Sequence, residues 1–314
     1  GRTVQDGGRA ILLVPEQFSF ENERELYLRL GPQLSSQVEV LGFGRLCDNI
    51  FRFYGGLAGR ALDDTGRRIL MGIALQEVGG ALEVYAAQAD KPGFIEDMIR
   101  EIGELKAAGV TPEELSAVRL PDSPSLSGKV ADIGLIYAAY QALIEENYID
   151  GEDDILRALE LLDPREFFSG VTVFIDSFTA FMAAEYKLLA AVLSGAEDVY
   201  AAFTCDGPED RKAGMGVFSA SQESAARLER MARERGVTVA EPLLLKGSRR
   251  FVSPELRWLE QGFFQSRPAS DGPKPLGDLR LVQGADVYEE CLYMAASIVE
   301  DVRKRGLRYN EIAV

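Results

Sequence analysis

Apolar positions along the chain fall into two textures. Arg9–Val14 (RAILLV) is a short unbroken apolar run ended by Pro15, the pattern of a strand buried on both faces of a parallel sheet. Ser19 then precedes Phe20–Leu30, whose first turn carries Glu21 and Glu23, as a helix N-terminus favours. Gln37–Leu41 reads as a second strand, and Gly42-Phe43-Gly44 turns into a helix carrying Leu46, Ile50 and Phe53. The start is therefore strand, helix, strand, helix.

From about Gly59 to Pro164 the spacing becomes helical, over Asp64–Val78, Gly93–Ala108, Val130–Glu146 and Glu152–Leu162. Thr111-Pro112-Glu113-Glu114 is a capping box with Pro at the first helical position. Pro121–Gly128 (PDSPSLSG) reads as a loop. Strand-like runs then return at Val171–Ile175, ending on Asp176, and at Asp198–Thr204. Helices are expected at Ala180–Leu193 and at Ser219–Gly236, the latter closed by its Gly. Leu245–Pro275 is irregular and rich in Arg, Pro and Gly. Leu279–Gln283 opens a new unit, followed by a helix over Asp286–Arg305 and a final strand over Glu311–Val314. A strand with nothing after it cannot pair its backbone, and Gly1 is not an initiator Met, so a fragment truncated at both ends is expected.

Composition narrows the chemistry. No histidine occurs among the 314 residues, which removes Ser-His-Asp and Cys-His catalysis and HExxH zinc sites. Cys47, Cys205 and Cys291 lie far apart, with no CxxC pair, and fit buried thiols in a reducing compartment, hence the cytoplasm. No apolar run approaches the roughly 20 residues of a membrane span. The net charge of −16 argues against a polyanion partner, but the acidity is uneven. Residues 61–165 hold 9 basic and 21 acidic side chains, while residues 1–60 hold 7 of each. The flanks remain free to contact nucleic acid.

The local words LLVPEQFSFENEREL (12–26), VEVLGFGRLCDNIF (38–51), VTVFIDSFTAFMAAEYKLL (171–189) and LRLVQGADVYEECLYMAASIVEDVRKRGLRYNEIAV (279–314) resemble the AddB family. These are the B subunits of AddAB-type ATP-dependent helicase/nucleases. The resemblance spans essentially the whole chain, with four words in the family's order. It implies an α/β fold: a RecA-like (P-loop NTPase, superfamily 1 helicase-like) parallel sheet with an all-helical insertion. Residues 1–58 and 165–275 would form the first RecA-like domain, 59–164 the insertion, and 276–314 the start of a second RecA-like domain.

The resemblance also implies double-strand-break repair, an AddA-type helicase/nuclease partner, and guidance and scanning of single-stranded DNA in search of a Chi-type sequence. ATP, Mg²⁺ and a 4Fe–4S cluster are implied for the full-length protein. The nucleotide-binding loop would lie upstream, since no G-x-x-x-x-G-K-[ST] occurs here, and the cluster cysteines and nuclease carboxylates downstream.

Six residues carry the candidate site. On the resemblance, Asp176 is a degenerate Walker-B position for Mg²⁺ and ATP; on the residues alone, Asp176 or Thr179 caps the next helix. Ser177 stands where a working motor needs a glutamate, and a hydroxyl cannot act as that base. Gln17 and Ser19 contact DNA on the resemblance, and are otherwise a solvated amide and a capping hydroxyl. Phe43, Arg45 and Phe178 offer base-stacking rings and a guanidinium, or else core aromatics and a surface charge. The resemblance implies a Chi-recognition pocket here, and Asp48 departs from the aromatic residue frequent in the family.

The basic residues Arg227, Arg230, Arg233, Arg235, Lys246, Arg249 and Arg250 read as solvated charges or as a DNA- or partner-facing patch. Two rival functions remain open. One is an active superfamily 1 ATPase whose nucleotide-binding loop was removed; the other is an acidic protein-interaction scaffold.

Overall fold

The computed structural model describes residues 8–56, 60–121, 123–205, 207, 216–245, 251–262 and 277–314. Its strands are β1 (Arg9–Leu13), β2 (Val38–Leu41), β3 (Arg60–Ala61), β4 (Tyr148–Ile149), β5 (Val171–Ile175) and β6 (Asp198–Ala201). β2, β1, β5 and β6 form one parallel sheet in that order, and β3 pairs with β4 in a parallel two-stranded ribbon. The register pairs Leu13 with Leu41 on one side and with Ile175 on the other, so three strand ends finish level. The protein is thus α/β, built on a four-stranded parallel sheet.

Helices follow each strand. α1 (Ser19–Ser35) links β1 to β2 and breaks at Gly31, whose φ of 77° precedes Pro32; proline cannot continue the helical hydrogen bonding. α2 (Phe43–Tyr54) follows β2. Between β3 and β4 lie α3 (Asp64–Val78), α4 (Pro92–Ala107), α5 (Pro112–Ala117) and α6 (Pro124–Asn147). α7 (Asp154–Leu161), α8 (Pro164–Phe167), α9 (Ala183–Gly195) and α10 (Ser219–Glu234) accompany the second half of the sheet.

Two separate hydrophobic cores result. Alternation places Ile11, Leu13, Leu41, Val173 and Ile175 on one sheet face, where Leu46 and Ile50 of α2 and Leu188, Leu189 and Val192 of α9 cover them. The second core lies among the helices between β3 and β4, around Met71, Leu75, Ile102, Ile136 and Tyr140.

Buried charges tie this helical layer together. Lys106 Nζ lies 3.0 Å from Asp150 and 2.8 Å from Asp153, and Arg67 reaches Asp150 at 2.7 Å. Asp132, also buried, accepts the backbone N–H groups of Glu83, Val84 and Tyr85 at 2.8 to 3.0 Å. Each buried anion therefore has partners, as burial demands.

Several expected elements change. Pro121–Gly128 is not all loop: Pro124 occupies the first turn of α6, which runs through Gly128, because proline's missing N–H costs nothing there. The expected Thr111 capping box forms, with Glu114 N–H on Thr111 and Glu114 Oε2 on Thr111 N–H. The breaks expected at 58/59 and 275/276 lie outside the described residues, as do 246–250 and 263–275 of the irregular stretch.

The chain divides into two compact units, Gly1–Pro242 and Leu243–Val314. The second contains α11 (Pro254–Gly262) and α12 (Val287–Arg305). Asp286 caps α12, accepting from Glu289 N–H at 2.9 Å, and Gly306 closes it in the left-handed region. Neither Leu279–Gln283 nor Glu311–Val314 is a strand. Leu281 is 99% exposed, Tyr309–Glu311 form a single 3-10 turn, and no neighbouring strand pairs with either segment among the described residues.

Candidate nucleic-acid interface

The carboxyl ends of parallel strands carry the loops that bind ligands in open α/β sheets. After β1 the chain makes a single turn, Glu16–Phe18, that leaves Gln17 exposed and buries Ser19. The Glu16 carboxylate reaches the loop after β2 and accepts Gly44 N–H at 3.1 Å. It thereby satisfies an amide that the first turn of α2 leaves free. Gly42 makes room for it, because a Cβ there would lie 2.1 Å from Glu16 Cδ.

After β5, Asp176 is exposed and its carboxylate accepts Ser177 N–H at 2.7 Å. Ser177 has a φ of 67°, a left-handed conformation that costs a non-glycine residue of order 1 kcal/mol or more. This strained turn aims the two polar side chains outward at the strand end. Neither Asp176 nor Thr179 caps the following helix. α9 starts at Ala183, and Glu185 reaches back to Met182 N–H at 2.7 Å instead. Thr179 ties the loop to α10 through its carbonyl, which accepts from Ser224 Oγ at 3.0 Å.

Phe43 and Phe178 do come together. Their ring centroids lie 5.5 Å apart, edge to face, and Phe181 closes the cluster at 4.8 Å from Phe178. The rings are 6% and 9% exposed, so they face each other and the sheet core, with no free face for a base.

Arg45 is set apart from them on another face of α2. Positions Phe43, Leu46, Cys47, Ile50 and Phe51 form the buried stripe, and burial there, aided by the charges of Asp154 and Asp48, pushes the Cys47 thiol up to about 12. Positions Arg45, Asp48, Asn49 and Arg52 recur at the same helical spacing on the other side.

All four of these polar residues line a groove of about 520 Å³ between α1, β2 and α2, whose opposite wall includes Tyr27 of α1 and Val38 and Val40 of β2. Arg45 lies 3.2 Å from Glu23 and 3.4 Å from the outward carbonyl of Val40. None of Gln17, Ser19, Phe43 and Phe178 lines the groove.

Five of the six sequence-derived candidates therefore occupy three places: an exposed turn (Gln17, with Ser19 buried beside it), a covered ring cluster (Phe43, Phe178) and a polar edge groove (Arg45). Asp176 adds an exposed carboxylate at the strand end. Sequence reasoning does not single out Glu16, Asn49 or Arg52. The polar spacing along α2 is a signal for the last two; the bond from Glu16 to a residue 28 positions away has none.

Among the described residues no group of three or more Cys, Asp or Glu side chains is placed to hold a metal ion. Cys47 is buried, Cys205 partly buried and Cys291 exposed. Three cysteines cannot supply the four thiolates of a 4Fe–4S cluster. Among the described residues no helix is long and apolar enough to cross a membrane.

Fold and site together define an α/β domain whose polar loops gather at the carboxyl edge of a parallel sheet, with a helical layer inserted between its second and third sheet strands. Residues 2–260 match the family model described as ADDB, N-terminal, and the chain belongs to that family.

Curated relatives agree. The B subunit of the ATP-dependent helicase/deoxyribonuclease of Acetivibrio thermocellus is 31% identical over 309 residues, covering 97% of this chain and 27% of the relative. The proteins of the same name from Desulforudis audaxviator and Clostridium novyi are 31% and 29% identical, over 100% and 97% of this chain and 27% of each relative. The chain thus spans about a quarter of the length of the curated relatives it matches.

Proposed function

We propose that this chain is the N-terminal part of the B subunit of an ATP-dependent helicase/deoxyribonuclease acting in double-strand-break repair, and that it guides and scans a single DNA strand. Its partner would be an AddA-type protein carrying the working motor, and its compartment the cytoplasm, consistent with three free cysteines. Residues 1–58 and 165–275 are read as a RecA-like domain, 59–164 as its helical insertion and 276–314 as the start of a second RecA-like domain. Family membership and the parallel strand order support this reading.

The observation that carries the DNA role is the polar face of α2, where Arg45, Asn49 and Arg52 line an open groove at the sheet edge. Gln17, exposed on the turn after β1, is read as a second contact with the strand. Ser19, Phe43 and Phe178 are assigned to supporting that edge from beneath, because all three are buried.

ATP with Mg²⁺ supplies the work of translocation in such enzymes. Here Asp176 would hold the Mg²⁺, while Ser177 lacks the carboxylate that would orient an attacking water. Hydrolysis is therefore assigned to the partner. The cluster is assigned to cysteines outside this chain.

Single-strand affinity measured between roughly 50 and 200 mM salt tests the proposal. Affinity that falls with salt and drops in Arg45→Ala supports it. A flat response, unchanged in that variant, would favour an acidic scaffold instead, a reading the charge of residues 61–165 supports. Brisk DNA-stimulated ATP turnover by an Asp176-dependent site would favour a live motor.

A further inference from the structure

We infer that Lys106, Arg67, Asp150 and Asp153 form an orientation latch, which sets the angle at which the helical layer stands on the sheet. When the latch opens, the layer swings as one body about β3 and β4. This goes beyond the proposed function and holds whatever occupies the groove.

Two features make the layer a body of its own. Its apolar core, around Met71, Leu75, Ile102 and Ile136, shares no described residue with the core against the sheet. The chain enters the layer at β3 and leaves it at β4, and these strands pair through two residues each, Arg60 with Tyr148 and Ala61 with Ile149. A ribbon that short is marginal on its own.

The charges sit where this neck returns to the sheet. Asp150 directly follows β4, and Asp153 comes just before α7. Lys106 of α4 reaches both, and Arg67 of α3 reaches Asp150. Two helices of the layer are thus tied to one short segment outside them. That segment is in turn anchored on the sheet side by Arg157 of α7. Arg157 pairs with Asp154 at 2.8 Å, donates to the Gly56 carbonyl at 3.0 Å and lies 4.9 Å over the Phe51 ring of α2.

The chemistry of the latch suits aim better than stability. The side chains of Lys106 and Asp150 are 1% and 0% exposed. Taking such ions out of water costs about what their attraction returns, so apolar residues of similar volume often hold as firmly. Apolar contact is non-directional, however, and tolerates a range of angles. Charge-assisted hydrogen bonds drawn from α3, α4 and the neck are all satisfied at one angle only.

Spin labels on Gln76→Cys of α3 and Glu223→Cys of α10, both exposed positions, report that angle by pulsed electron resonance. Cys205→Ser and Cys291→Ser remove the competing thiols, and buried Cys47 stays unlabelled. The whole chain should give one narrow distance. Lys106→Met, Asp150→Asn and Asp153→Asn together neutralise the latch without stranding a buried ion, since Arg67 keeps Asp64 as a partner. This triple variant should keep its helical circular dichroism but lose the single peak, spreading over a range of distances.

A folded triple variant that keeps the single peak overturns the inference. So does loss of the helical signal, which would mean that the layer needs these charges to fold. Hydrogen exchange of the unaltered chain checks the pivot with no substitution. Amides of residues 148–153 should exchange ahead of both cores, and exchange only together with the cores would contradict the pivot.

Discussion

The Glu16 carboxylate sits against the first turn of α2, 3.1 Å from Gly44 N–H, in space that only a glycine at position 42 leaves open. The loops after β1 and β2 are therefore locked to each other by one side chain. Gly42 has an ordinary extended backbone, with φ −88° and ψ 179°, so alanine is forbidden there only by Glu16.

A double-mutant cycle exposes this dependence. Gly42→Ala should destabilise the protein by about 1 kcal/mol, the usual worth of an acceptor at a helix N-terminus, because the carboxylate is pushed off Gly44. In a Glu16→Ala background the same substitution should cost close to nothing. Urea unfolding of the four proteins measures the coupling, and strictly additive costs would refute the contact.

The charges buried in the helical layer make stability depend on pH. Burial opposes ionisation of Asp150, but Lys106 and Arg67 outweigh it and hold the carboxyl below its ordinary value. A depressed pKa contributes stability that is present above the unfolded value, about 3.9, and is lost as pH falls through the folded one. Asp150→Asn should cost roughly 3 kcal/mol at neutral pH, since Lys106 is left buried with Asp153 as its remaining anionic partner. It should also flatten the decline below about pH 4. Urea midpoints of both proteins from neutral to acid pH check this; parallel curves would show that Asp150 does not carry the acid sensitivity.

Thiol reactivity should follow burial. A pKa near 12 keeps Cys47 protonated at every working pH, and the residue has no exposed surface. Alkylation of the folded protein at mildly alkaline pH should modify the exposed Cys291 first and spare Cys47 until denaturant is added. Mass spectrometry of the digested protein reads the order. Early labelling of Cys47 would mean that α2 separates readily from the sheet.

Local signals are legible in the sequence where they are self-contained. Asp64–Val78 is read to the residue, because Asp63 caps it and its apolar positions repeat at helical spacing. The Thr111 box likewise needs only four neighbours. The sequence misleads where the answer lies across the fold. The Ser, Pro and Gly of 121–128 look like a loop until Pro124 is placed at the start of a helix.

Phe43 and Phe178 illustrate the harder case. An aromatic ring after a strand serves a ligand or a core equally well, and only the packing of Phe181 against both settles that they are covered. Arg45 is legible as an exposed guanidinium, but its neighbours on the groove, Asn49 and Arg52, emerge only once α2 is seen to have a second face.

The proposed role requires a DNA strand to lie along the groove between α1, β2 and α2. Photo-crosslinking of a single-stranded oligonucleotide carrying halogenated pyrimidines, followed by mapping of the adducts, tests it directly. Tyr27, half exposed on the groove wall, should carry the principal adduct, and unlabelled single strand should compete it away. Adducts confined to the arginine-bearing face of α10, with Tyr27 unmodified, would contradict it.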